Sequence, residues 1–159
     1  MSEEQQLLLH LLQDAVERVY SEKRPLLQYE DEERKGLEQA FVFRTGVYFQ
    51  QGVAKTQYSD LDIDCEYNKN HNGFKVTANH PHGIRPDLLL HERNTHNNNK
   101  LAVEFKGSWT AKKEMENDCE KLKDITSDEY NYTFGIFVLV GEKEAKYRLF
   151  SNGGEVEYE

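Results

Sequence analysis

Asp87, Glu104 and Lys106 are charged residues set into two short stretches that are otherwise mostly apolar, Pro86 to His91 and Lys100 to Lys106. Both stretches have strand length, and the Asn-rich segment between them has the composition of a turn. The spacing therefore predicts a β-hairpin whose midpoint, for positions 87 and 104, falls at Thr95–His96 inside that turn. A simple antiparallel register sets Asp87 opposite Glu104, with Cβ atoms about 4.5–5.5 Å apart. Alternation adds Lys106 to the same face, about 6.6 Å farther along at ~3.3 Å per residue. Leu88, Leu90, Leu101, Val103 and Phe105 take the opposite face.

Like charges directly opposite one another destabilise a strand pair unless a cation lies between them. Two hard carboxylates suit Mg²⁺ or Mn²⁺, with the backbone carbonyl of Phe105 as a further oxygen ligand. Such an ion neutralises a phosphoryl oxygen and acidifies a bound water. Lys106 is then placed to stabilise charge at phosphorus or to orient the water. A plain cluster of solvent-facing charges is the competing reading. The apolar flanks and the matched register favour the first.

These three residues need a scaffold, and hydrophobic periodicity outlines one. Leu7, Leu8, Leu11, Leu12, Val16 and Val19 recur at helical spacing over residues 3–22, and Pro25 interrupts the segment that follows. A second helix is expected from about Glu30 to Gln50, with an acidic first turn. On it Glu38 shares a largely apolar side with Phe41, Val42, Thr45 and Phe49, an odd place for an unpaired carboxylate. Leu61 to Tyr67 reads as a strand, and Phe74 to Thr77 as its partner across the turn NKNHNG. After the central hairpin come a third helix, Ala111 to Ile125, a buried strand, Tyr132 to Val140, and a short strand, Tyr147 to Phe150. Val156 to Tyr158 is expected as an edge strand. The fold class is α/β, a mixed central sheet flanked by helices in the order ααβββαββ with one optional extra strand. One domain is expected over 1–159, with 1–28 as an N-terminal helical extension and 30–140 as the core.

The net charge of −9 is unevenly distributed. Residues 69–113 carry 8 Lys/Arg against 3 Asp/Glu and hold five of the six histidines, whereas the flanks are acidic. A local basic segment of this kind is expected to approach phosphate, although uneven surface charge explains it equally well. The 9 Tyr, 8 Phe and one Trp argue against disorder. No apolar run reaches the ~18–20 residues of a membrane span, so no membrane partner is expected. The acidic start MSEEQQ does not read as a signal peptide, which points to the cytoplasm. Cys65 and Cys119 lack CxxC spacing and are expected as buried or partly buried thiols of a reduced compartment. His80–Pro81–His82 lacks a matching ligand pair for zinc.

The order of a helical Glu, then Pro86–Asp87 on one strand and Glu104–Phe105–Lys106 on the next, then a helix and a buried strand, resembles the PD-(D/E)XK phosphodiesterase superfamily. The resemblance spans roughly residues 30–140 and extends to short standalone members through Leu37 to Arg44, Asp64–Cys65–Glu66–Tyr67–Asn68 and Arg85 to Arg93. It implies a restriction-endonuclease-like fold. It also implies a Mg²⁺- or Mn²⁺-dependent nuclease, a hydrolase of phosphodiester bonds, acting on nucleic acid and on DNA first. Asp87 and Glu104 would be catalytic and metal-holding, with Glu38 as the helical acid of the site and Lys106 beside them. This chain has Gln39 where the family pattern favours Arg. Arg44, Arg85, His91 and Arg93 are the candidates for substrate contact. Asp64 and Glu66 read as outer support or solvent-facing acids, Asp118 and Lys121 as an i, i+3 surface pair, and Trp109 as a core or rim anchor. The alternative function is a non-catalytic or partner-activated module of the same fold in DNA defence or repair. A homodimer or a protein partner is compatible with the Leu-rich first helix, which core packing explains as well.

Overall fold

A computed structural model describes residues 1–29, 31–34, 36–127 and 129–157. Helix α1 (Glu3–Tyr20) begins in a capping box, in which the Ser2 hydroxyl accepts from the Gln5 N–H at 3.2 Å and Gln5 Oε1 accepts from the Ser2 N–H at 3.0 Å. Its Leu8, Leu12, Val16 and Val19 are buried in the main core together with residues of helix α2 (Leu37–Val53). α1 is thus an integral layer, and its leucine face is spent inside the domain.

α2 starts later than the sequence suggests. Gly36 adopts φ 85°, in the left-handed region, which ends the preceding short 3₁₀ turn (Asp31–Arg34) and resets the chain before Leu37. The acidic residues expected in the first helical turn lie partly in that 3₁₀ turn, and Glu30 falls outside the described residues.

The strands are β1 (Asp62–Asp64), β2 (Lys69–Asn70), β3 (Gly73–Phe74), β4 (Leu88–His91), β5 (Leu101–Gly107), β6 (Phe134–Val140), β7 (Ala145–Ser151) and β8 (Gly154–Val156). Six form one mixed sheet in the order β1-β4-β5-β6-β7-β8. Only β5 and β6 run parallel, and helix α3 (Lys112–Ile125) makes the crossover between them. α1 and α2 pack on the sheet face that carries Leu88, Leu90, Leu101, Val103 and Phe105. α3 covers the other face, where Leu89, Ala102, Phe137 and Phe150 are buried. Covering both faces explains why Leu88, Leu89 and Leu90 are consecutive apolar residues with no exposure at all.

The central hairpin has the expected register, with Leu88 opposite Val103, Leu89 opposite Ala102 and Leu90 opposite Leu101. The region before it differs. The strand expected over Leu61 to Tyr67 stops at Asp64, because Glu66 takes φ 56° and its N–H turns to the carbonyl of Pro86 at 3.1 Å. β1 pairs with β4, and not with Phe74 to Thr77. β2 and β3 instead make a separate two-stranded hairpin. At the far edge β8 ends at Val156, and the Tyr158 end of the expected edge strand lies outside the described residues. Among the described residues no helix is long and apolar enough to cross a membrane.

Candidate active site

The charged face of the hairpin lies under α3. Asp87, one residue before β4, is held by its neighbour strand: its Oδ2 accepts the backbone N–H of Phe105 at 2.7 Å. Its carboxyl lies beside that of Glu104, close enough for each to influence the other's ionisation. Glu104 is 2% exposed. Burial, followed by the charge of Asp87, pushes the Glu104 carboxyl well above its ordinary range. Burial, with the nearby Asp118, pushes Asp87 up to about 6.

Lys106 follows on the same face. Its Nζ lies 3.3 Å from Asp118 Oδ2 and 3.8 Å from Glu38 Oε2. Burial opposes its charge, but Asp118 and Glu38 outweigh burial and raise its pKa, so it is an ammonium at neutral pH. Glu38, on the first turn of α2, is raised by burial and is steadied by Lys106, the Gly107 N–H and the Thr110 hydroxyl at 3.5 Å. Glu38 thus lies beside Lys106 of the hairpin.

α3 contributes two further residues. Lys121 Nζ lies 2.6 Å from Asp118 Oδ1 and 3.8 Å from Glu104 Oε1. The pair predicted for the surface is in the site, with Asp118 only 4% exposed. The signal for this is faint but present: Asp118 precedes the buried Leu122 by one helical turn and so shares its inward side. The result is an alternating row, Glu38, Lys106, Asp118, Lys121 and Glu104, closed by Asp87. Glu104 Oε1 and Asp118 Oδ2 are buried without a hydrogen-bond partner, despite the lysines nearby. The cavity in front of the hairpin acids, Lys106 and the α3 pair has a volume of about 510 Å³. The segment between β3 and β4 walls it. That segment is pinned by the Tyr130 hydroxyl, which bridges the N–H and carbonyl of Val76, and by Asp124, which accepts from Thr77 and Asn79.

Of the residues proposed to contact substrate, only Arg85 lines this cavity, with its Nε 2.7 Å from Glu66 Oε2. Arg44 points elsewhere and is bound by Glu22 at 2.6 Å and by the Tyr48 hydroxyl. His91 is 2% exposed and its Nε2 lies 2.9 Å from Asp64 Oδ2, while Arg93 Nε donates to the same oxygen at 2.8 Å. The structure does not bring Arg44, His91 or Arg93 to the acids. Asp64 and Glu66 do not share a strand face: Asp64 secures His91 and Arg93, whereas Glu66 has left the strand.

The basic segment is also changed by folding. Arg85, Arg93, Lys100 and Lys106 pair with Glu66, Asp62 and Asp64, Glu4, and Glu38 with Asp118, all acids from outside that segment. Its surplus charge is largely spent inside the molecule. Cys119 is buried, but Cys65 is exposed, contrary to expectation, and both are free thiols. No protein-family model, curated protein or solved structure matches the chain.

Among the described residues no group of three His, Cys, Asp or Glu forms a ready metal cage. The donors still fit a hydrated Mg²⁺, which keeps several waters and takes one or two carboxylates from a protein. Asp87 and Glu104 are two adjacent hard oxygen donors, and Glu104 Oε1 is buried without a hydrogen-bond partner.

Proposed function

We propose that the chain is a metal-dependent phosphodiesterase of PD-(D/E)XK type with a restriction-endonuclease-like fold, acting on nucleic acid. The observation that carries this reading is the Asp87–Glu104 pair, a half-buried and a buried acid side by side with Lys106 beyond them on one sheet face. In a purely structural hairpin such a pair is a cost with no return, since burial already disfavours each charge.

Asp87 and Glu104 would hold a Mg²⁺ or Mn²⁺ ion, with Phe105 offering its carbonyl and Glu38 standing beyond Lys106. When bound, the ion supplies charge neutralisation at phosphoryl oxygen and a more acidic water. The protein supplies the rest. The Phe105 N–H orients Asp87, and Asp118 and Glu38 hold Lys106 protonated where it meets negative charge developing at phosphorus. Lys121, 3.8 Å from Glu104 Oε1, occupies the place of a counterion and would be available to substrate phosphate if the acids held a metal.

Incubation of the purified protein with plasmid, linear and single-stranded DNA, with Mg²⁺ or Mn²⁺, tests this reading. Cleavage by the wild type and none by Asp87→Ala is the expected result. No cleavage of any of these substrates, or equal cleavage by the variant, sinks it.

A second reading draws on the same row of charges. Lys106 and Lys121 partly neutralise the acids from within, which suits a non-catalytic module that keeps the fold and acts through a partner. Calorimetric titration with Mg²⁺ separates the two. The module predicts no Asp87-dependent heat, and the phosphodiesterase predicts heat that Asp87→Ala removes.

A further inference from the structure

A second cleft, of about 710 Å³, lies between α2 and the loop after β1, and it shares Glu66, Asp87 and Lys106 with the polar cavity. Its character is different. Val42 and Phe43 from α2 give it an apolar wall. Phe43 is 61% exposed, the highest value among the exposed large hydrophobic residues described. Phe74, next at 57%, is covered by the Lys69 ammonium at 4.6 Å from its ring. Among the described residues no ring or cation stacks on Phe43.

Charge narrows what can enter. Duplex recognition draws most of its affinity from cations that displace counterions along two phosphate backbones. Here the net charge is −9, and Arg85, Arg93, Lys100 and Lys106 are already paired with acids of the chain. With these four cations engaged, contacts that do not need free cations gain weight. An aromatic face supplies one, and it is open only to an unpaired base, because bases in a duplex are stacked on each other and show only their edges.

We infer that this cleft holds an unpaired nucleobase against Phe43, so that the substrate is single-stranded nucleic acid whose adjoining phosphate reaches Asp87 and Lys106. The inference rests on the phosphodiesterase reading for that phosphate, and on the cleft alone for the base.

Fluorescence anisotropy with a short labelled single-stranded DNA, and with the same sequence as a duplex, tests it. Ca²⁺ replaces Mg²⁺, and strand integrity is checked on a gel. The expected result is tighter binding of the single strand than of the duplex. Phe43→Ala should weaken single-strand binding about tenfold, from the ~1–3 kcal/mol of one base stack, and Phe43→Trp should restore it. Phe43 is exposed, so both variants should melt with the wild type. An unchanged Kd in Phe43→Ala, tighter duplex binding, or no binding of either DNA overturns the inference. Phe43-dependent binding without hydrolysis supports the base subsite and removes the hydrolytic reading. Asp87-dependent cleavage with Phe43-independent binding does the reverse.

Discussion

The carboxylate of Asp87 accepts the backbone N–H of Phe105 at 2.7 Å, which ties the first acid to the strand that carries the second. Asn can keep this bond through its amide oxygen, whereas Ala leaves the N–H without its partner, at a cost of about 1–3 kcal/mol. In metal-free buffer near pH 8, Asp87→Asn should therefore melt above the wild type, since it also removes one of two like charges. Asp87→Ala should melt below Asp87→Asn. Thermal unfolding followed by circular dichroism measures both, and equal melting temperatures for the two variants would show that the bond carries nothing.

The raised acids set a direction for pH. Asp87 moves from 3.8 in its ordinary state to about 6 in the fold, so between these values the folded protein holds the proton more firmly than the unfolded chain does. Its contribution is fully present below pH 3.8 and is lost as pH rises through about 6. Glu104 is raised as well and acts with the same sign. The stability advantage of Asp87→Asn over the wild type should be on the order of 1–3 kcal/mol at pH 7.5 and should shrink toward pH 5. Urea midpoints of both proteins across that range measure it, and a constant difference would contradict the shift.

Lys121 is the counterion that a metal would displace, lying 3.8 Å from Glu104 Oε1. Its removal should have opposite effects on the two states. Lys121→Met should lower metal-free stability by about 1–3 kcal/mol, because two acids at low exposure lose a cation. It should tighten Mg²⁺ binding severalfold, because the competing ammonium is gone. Calorimetry beside thermal unfolding reads both, and a loss of Mg²⁺ affinity would instead make Lys121 a support of the site.

Gly107 ends β5 beside Lys106, and a Cβ placed there would clash with the Trp109 indole at Cε2. The indole lies against the bare glycine and packs on the main core. Gly107→Ala should push the ring aside, destabilise the protein by about 1–3 kcal/mol and raise the intensity change of Trp109 on quenching by acrylamide. Unchanged quenching would mean that the ring does not depend on the glycine.

Local pattern accounts for much of this protein. Strand alternation determined that Asp87, Glu104 and Lys106 share a face and that Leu88, Leu90, Val103 and Phe105 share the other, because a period of two is a property of the strand itself. Helical spacing placed Glu38 on an inward side for the same kind of reason. What depends on distant packing was beyond its reach. The docking of α3 over the hairpin decided that Asp118 and Lys121 join the acids, since the inward direction of a helix is set by the layer it lands on. Folding also decided the fate of the basic segment, whose charges read as available in sequence but meet Glu4, Asp62, Asp64 and Glu66 from remote positions. Charge counts are additive along a chain, whereas fields are set by neighbours in space.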